Sequence, residues 1–138
     1  MTDEQEIINV ISRYFHLLDD RQPEPWGELL TEDVVIHLYD LVIKGRDVAR
    51  KDIFGGQVSG QHGKHIAVNP YITVLGDRAE SVCDYFYVAV MGPKNHQRFE
   101  ILDFGRYTDE LVKVKGAWLF KERRIDVELF PLPPGLGE

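Results

Sequence analysis

Two side chains of this sequence could together move a proton. Asp19 ends an amphipathic first helix, in the run Tyr14-Phe15-His16-Leu17-Leu18-Asp19-Asp20, and His65 follows a glycine-rich stretch and opens a β-rich region. An ordinary imidazole titrates at about pH 6.5, so its neutral form is available as a base at neutral pH. A carboxylate beside it would fix the tautomer and stabilise the imidazolium, as the aspartate does in a Ser-His-Asp triad. If Asp19 and His65 face one cavity, they form a pair able to take a proton from a small substrate. Each residue also has a plainer reading. His65 would make one structural hydrogen bond at a strand start, and Asp19 would be solvated at a helix C-terminus, where its charge is unfavourable.

Further residues could line such a cavity. Tyr14 lies five residues before Asp19, roughly 140° round a helix at about 100° per residue. It is either a core tyrosine or a hydroxyl that polarises a carbonyl or a leaving group. Asp103 interrupts the apolar run Phe99-Glu100-Ile101-Leu102-Asp103-Phe104. Period-two alternation puts it on one face with Phe99, Ile101 and Tyr107, either as a polar group of a cavity wall or as a solvated residue at a bulge near Gly105. Phe54, Ile101 and Arg123 complete the expected substrate pocket. No metal site is expected, because His37, His62 and His65 lack a ligand spacing. With no Gly-x-Gly-x-x-Gly fingerprint and no P-loop, no nucleotide cofactor is expected either.

The elements that must position these groups follow from periodicity. Apolar residues at Ile7, Ile8, Val10, Ile11, Tyr14, Phe15, Leu17 and Leu18 predict an amphipathic helix over Asp3 to Asp20, capped by Thr2 or Asp3. A short helix is expected from Pro25 to Leu30, a strand from Val34 to Tyr39 with Val42–Ile43 as a hairpin arm, and a third helix from Gly45 to Phe54. Glycines 55, 56, 60 and 63 then make a loop. Strands are expected over Ile66 to Leu75, with an irregularity at Pro70, then Ala79 to Met91, Gln97 to Val114 and Trp118 to Leu129. Residues 130–138 read as a Pro/Gly-rich tail. Helices early and strands late make an α+β plan. The expected form is a cone-shaped barrel of curved, mostly antiparallel sheet, wrapped around the N-terminal helix, with two or three further short helices. Residues 1–138 would form a single domain.

The chain has 138 residues, with 43% apolar and 28% charged side chains, which suits an ordinary globular protein rather than a disordered one. Sixteen basic against 23 acidic residues give a net charge of −7. That balance argues against nucleic acid and against an anionic membrane as partners. No apolar run approaches the roughly 20 residues that span a bilayer. The acidic start lacks the features of a signal peptide, so the expected location is cytoplasmic. The single cysteine, Cys83, allows no internal disulfide and lies in an apolar strand pattern, where a buried, inert thiol is expected.

The order of elements, with Leu18-Asp19, Gly63-Lys64-His65, Phe104-Gly105-Arg106-Tyr107-Thr108-Asp109 and Gly116-Ala117-Trp118-Leu119-Phe120, resembles the SnoaL-like branch of the nuclear transport factor 2-like superfamily. Within that branch the chain is most similar to scytalone dehydratase and lindane dehydrochlorinase. The resemblance implies that His65 takes a proton and that Asp19 holds His65. The tyrosine, lysine and arginine that those enzymes add to the pair do not carry over; Leu18, Tyr14 and Ile125 stand at those positions. The expected function is a cofactor-independent lyase, of dehydratase or dehydrohalogenase type, acting on a small hydrophobic cyclic molecule. The alternatives are an isomerase or polyketide-cyclase-like enzyme using the same proton abstraction, a non-catalytic ligand-binding domain, or an oxygenase subunit. A homodimer or homotrimer is expected.

Overall fold

A computed structural model of the chain describes residues 1–128; the tail over 130–138, and Leu129 at the expected end of the last strand, lie outside the described residues. Three helices, α1 (Asp3–Asp19), α2 (Pro23–Gly27) and α3 (Arg46–Gly55), accompany six strands, β1 (Leu30–Leu38), β2 (Leu41–Lys44), β3 (Gly63–Leu75), β4 (Arg78–Met91), β5 (Arg98–Val114) and β6 (Ala117–Val127). The strands form one mixed sheet in the order β2-β1-β6-β5-β4-β3. All neighbours are antiparallel except β1 and β6, which run parallel. The sheet is open, with β2 and β3 at its edges. Among the described residues, no helix is long and apolar enough to cross a membrane.

Helix α1 starts at a capping box: Gln5 N–H donates to the Thr2 hydroxyl, and the Gln5 side chain accepts from Thr2 N–H. Its apolar stripe of Ile7, Ile11, Tyr14, Phe15 and Leu18 is buried against the sheet and α2. Tyr14 is the hub, with its ring 5.2 Å from Trp26, 5.5 Å from Phe120 and 6.2 Å from Tyr107. Asp3 fastens the helix start to the far hairpin, accepting from Lys113 Nζ and Trp118 Nε1.

Three irregularities decide which side chains face inward. In β3 the register shifts between Val68 and Tyr71, at Asn69-Pro70, where Pro70 predicts it. In β5 the shift falls at Leu102, because Tyr87 pairs with Asp103 while Val88 pairs with Ile101. In β6 it falls at Lys121, because Glu110 pairs with Glu122 while Leu111 pairs with Phe120. A bulge residue reverses the alternation on either side of it. The expected bulge at Gly105 is therefore found three residues earlier. Gly105 serves another purpose: a Cβ there would collide with the Asp126 carbonyl on β6.

The Lys121 bulge turns Arg123 inward with Phe120 and Ile125. Arg123 is fully buried and pairs two-pronged with Asp109, Nε to Oδ1 at 2.7 Å and Nη2 to Oδ2 at 2.9 Å. Ser81 Oγ donates to the same carboxylate. The guanidinium stacks on Phe120, Tyr14 and Tyr107, 3.9 to 4.3 Å from the ring centroids. Burial works against its charge, but Asp109 more than offsets this and holds Arg123 above an ordinary guanidinium.

Candidate active site

The end of α1 is built to hold Asp19 in place. Arg21 adopts a left-handed conformation (φ 56°), Gln22 N–H returns to the Leu17 carbonyl and Arg21 N–H to the Leu18 carbonyl. This is a Schellman closure with arginine where glycine is usual. The Arg21 guanidinium then donates to the carbonyls of Val58 and Gln61, and Gln57 Nε2 donates to the Leu18 carbonyl. One helix end thus anchors both the carboxylate and the loop that precedes β3.

Asp19 meets His65 at two points. Its Oδ2 accepts the His65 backbone N–H at 2.9 Å, and its Oδ1 lies 2.6 Å from His65 Nδ1. These bonds compensate a carboxylate at the negative end of a helix. They also commit Nδ1 as the donor, so Nε2 keeps the lone pair of the neutral ring. The ring is clamped between Phe15, stacked at 5.5 Å, and Tyr87 at 4.6 Å. Gly63 makes room for that clamp, since a Cβ there would strike the Tyr87 ring. Tyr87 in turn donates to Gln61 Oε1.

His65 forms part of the wall of a cavity of about 420 Å³. Leu18, Leu38, Ile43, Ile53 and Ile125 supply apolar lining; Tyr14, Gln57, Tyr85, Asp103 and Tyr107 supply polar atoms. Tyr39, largely exposed, stands at the mouth with Leu41 and Asp52. A smaller recess of about 190 Å³, between Arg21, Gln57, Gln61 and Tyr87, lies behind the pair. Another recess, about 710 Å³, lies among Phe86, Ile101, Phe104 and Arg106; it shares Tyr85 and Asp103 with the first cavity but does not reach His65 or Asp19. Burial pushes the Tyr14 hydroxyl above the usual tyrosine range, so it keeps its proton. Tyr107 is raised by burial too, and Tyr85 by burial and by the neighbouring Asp103 charge.

The expected site residues therefore separate. His65, Tyr14 and Asp103 line one cavity, and Asp19 joins them only through its contact with His65. Ile101 does not: the Leu102 bulge sends it to the opposite face beside Val88, where it is 63% exposed. Phe99, expected on the same inner face, is likewise outside and 78% exposed. Phe54 packs its ring on Trp26 at 5.1 Å, and its neighbour Ile53 takes the lining position. Arg123 lies behind Tyr14 in the core ion pair and is absent from the cavity wall among the described residues. Tyr85, Tyr87 and Gln57 were not foreseen. Cross-strand register brings Tyr87 opposite His65, and register between distant strands has no local signal.

Comparison with known proteins agrees with this fold. The SnoaL-like domain profile matches residues 1–124. A protein of unknown function with a cystatin-like fold from Nostoc punctiforme superposes with a TM-score of 0.78 at 20% identity, over 98% of this chain and 94% of that one. A protein provisionally named scytalone dehydratase, from Novosphingobium aromaticivorans, gives 0.74 at 23% identity over the whole of both chains. ActVI-ORFA from Streptomyces coelicolor gives 0.78 at 15% identity, over 90% of this chain and 96% of that one. A search of curated proteins finds no match. At these identities the structural likeness establishes the fold.

Proposed function

Starting from the fact that this chain belongs to the SnoaL-like domain family, we propose that it is a cofactor-independent lyase acting on a small hydrophobic cyclic molecule. His65 Nε2 takes a proton from carbon. The C–H electron pair becomes the new double bond, and a leaving group departs from the adjacent carbon with its own bonding pair. Asp19 holds the ring and stabilises the imidazolium. Tyr14, whose hydroxyl remains protonated, assists the leaving group directly or through water.

The observation that carries this reading is the two-point contact of Asp19 with His65 at the wall of an open cavity. A binding-only domain would need neither the contact nor a free Nε2. An isomerase begins with the same proton transfer and differs in where the proton is returned. A homodimer or homotrimer is the assembly we expect, and a solution mass measurement tests it.

The chemistry can be tested without the natural substrate. 5-Nitrobenzisoxazole loses a carbon-bound proton to a base, its N–O bond breaks, and a coloured nitrophenolate forms. The protein should accelerate this elimination, and His65→Ala should lower the rate by about 10² or more, the usual contribution of a general base. Asp19→Asn should also lower it, with circular dichroism unchanged in both. A His65→Ala variant at the full rate would refute the assignment. A cyclic β-hydroxyketone and a β,γ-unsaturated cyclic ketone then separate elimination from isomerisation.

A further inference from the structure

The geometry points to a second polar subsite, in which Asp103, braced by Tyr85, accepts a hydrogen bond from a free hydroxyl on a neutral cyclic substrate. The inference rests on the proposed His65 chemistry for the position of the reacting carbon, and on separate observations for everything else.

His65, Tyr87 and Asp103 stand in one cross-strand row: His65 pairs with Tyr87, and Tyr87 pairs with Asp103. All three point inward, because the Leu102 bulge sets Asp103 on the face opposite to Ile101. Neighbouring strands lie about 4.8 Å apart, so the backbones of His65 and Asp103 are separated by about 10 Å. Tyr87, between them in the row, packs on the His65 ring, and the room for a cyclic ligand is the cavity of about 420 Å³ that His65 and Asp103 both line. Tyr85 lines the same cavity, its ring 6.2 Å from the His65 ring. Its hydroxyl donates to Asp103 Oδ2 at 3.0 Å. That bond consumes the only proton Tyr85 has and leaves Asp103 Oδ1 without a protein donor among the described residues, at the wall that Asp103 and Tyr85 share with His65. Asp103 is half-buried, so this oxygen is open to a ligand O–H that takes the place of water there.

Charge narrows the class further. Among the described residues, the cavity wall carries Asp52 and Asp103 and neither lysine nor arginine. Carboxylates and phosphates would meet only like charge there. The ligand is therefore neutral, carries at least one hydroxyl, and presents that hydroxyl about one ring away from the carbon whose proton His65 removes.

A bicyclic probe series tests the subsite by binding alone. 2-Naphthol donates a hydrogen bond, 2-methoxynaphthalene cannot, and 2-naphthoate is an anion. Calorimetry at pH 7 should give 2-naphthol about tenfold tighter binding than 2-methoxynaphthalene, the usual worth of a hydrogen bond to a charged acceptor. 2-Naphthoate should bind most weakly. In Asp103→Asn the preference for 2-naphthol should fall several-fold, while 2-methoxynaphthalene binds as before and so reports an intact cavity. Tyr85→Phe, which frees the second oxygen, should keep the preference. Equal binding of naphthol and its ether, a preference unchanged in Asp103→Asn, a preference lost in Tyr85→Phe, or naphthoate binding as tightly as naphthol would each overturn the inference. Loss of the proton-abstraction reading would instead appear as benzisoxazole elimination that survives His65→Ala, and it would leave these binding ratios untouched.

Discussion

Asp109 and Arg123 show how much a single pair can matter. Both are fully buried, and Asp109 also accepts from Ser81. Asp109→Ala leaves a cation stranded among aromatic rings and should cost about 3–5 kcal/mol of stability, measured by urea unfolding. Asp109→Leu combined with Arg123→Met should recover most of the loss, since apolar replacement of a whole buried pair is often neutral. Cys83 gives a prediction in pH. Burial pushes its thiol up to about 11, so the folded state holds that proton more tightly than the unfolded chain does. A raised pKa contributes stability that is intact below the unfolded value and is lost as pH rises through the folded one. The urea midpoint should therefore decline between about pH 9 and 11, and Cys83→Ala should flatten part of that slope. Iodoacetamide at pH 8 should leave Cys83 unmodified until the protein unfolds. Single residues were also the most legible level of the sequence. Asp19 and His65 stand out by type and by place in the element order. Ile101 misled because the bulge at Leu102 has no marker such as the proline that announces the irregularity in β3.

At the level of elements, the junction after α1 deserves a test of its own. Arg21 carries both a left-handed backbone and the tether to the 58–61 loop. Arg21→Gly relieves the backbone cost, of about 1 kcal/mol, while cutting the tether. Global stability should then change by no more than about 1 kcal/mol, while amide exchange in the loop accelerates. Arg21→Ala keeps the strain and loses the tether, so it should lower global stability and also accelerate amide exchange in the loop. Gly105→Ala should be far more damaging, because its methyl would press on the Asp126 carbonyl and push β6 from β5; a fall in melting temperature checks this. Element types were readable from periodicity, and α1 ends within one residue of its expected limit. The start of β1 was not readable. Thr31-Glu32-Asp33 looks like loop, yet Leu30 already pairs with Phe120, and the register slips before Val35. That strand is held there by its neighbour, against the weak preference of its own side chains.

For the whole molecule, a curved, mostly antiparallel sheet around α1 was foreseen, but its order was not, since the parallel contact of β1 with β6 joins residues some 90 positions apart. That contact sets a timetable for synthesis. As the nascent chain leaves the ribosome, α1, β1 and β2 emerge first, yet β1 has only the four-residue β2 to pair with until the last strand appears. The antiparallel run β3-β4-β5 can zip up as it emerges, hairpin by hairpin, and so can bring His65 beside Tyr87 early. Ile125 and the cavity wall it completes beside His65 wait for β6 to slot into the middle of the sheet. Closing that long loop is the costly step, and a chain truncated after Val114 should lack a cooperative unfolding transition while the full chain retains one. The proton-transfer pair would then acquire its final surroundings only once β6 has left the tunnel, well after Asp19 and His65 themselves have emerged.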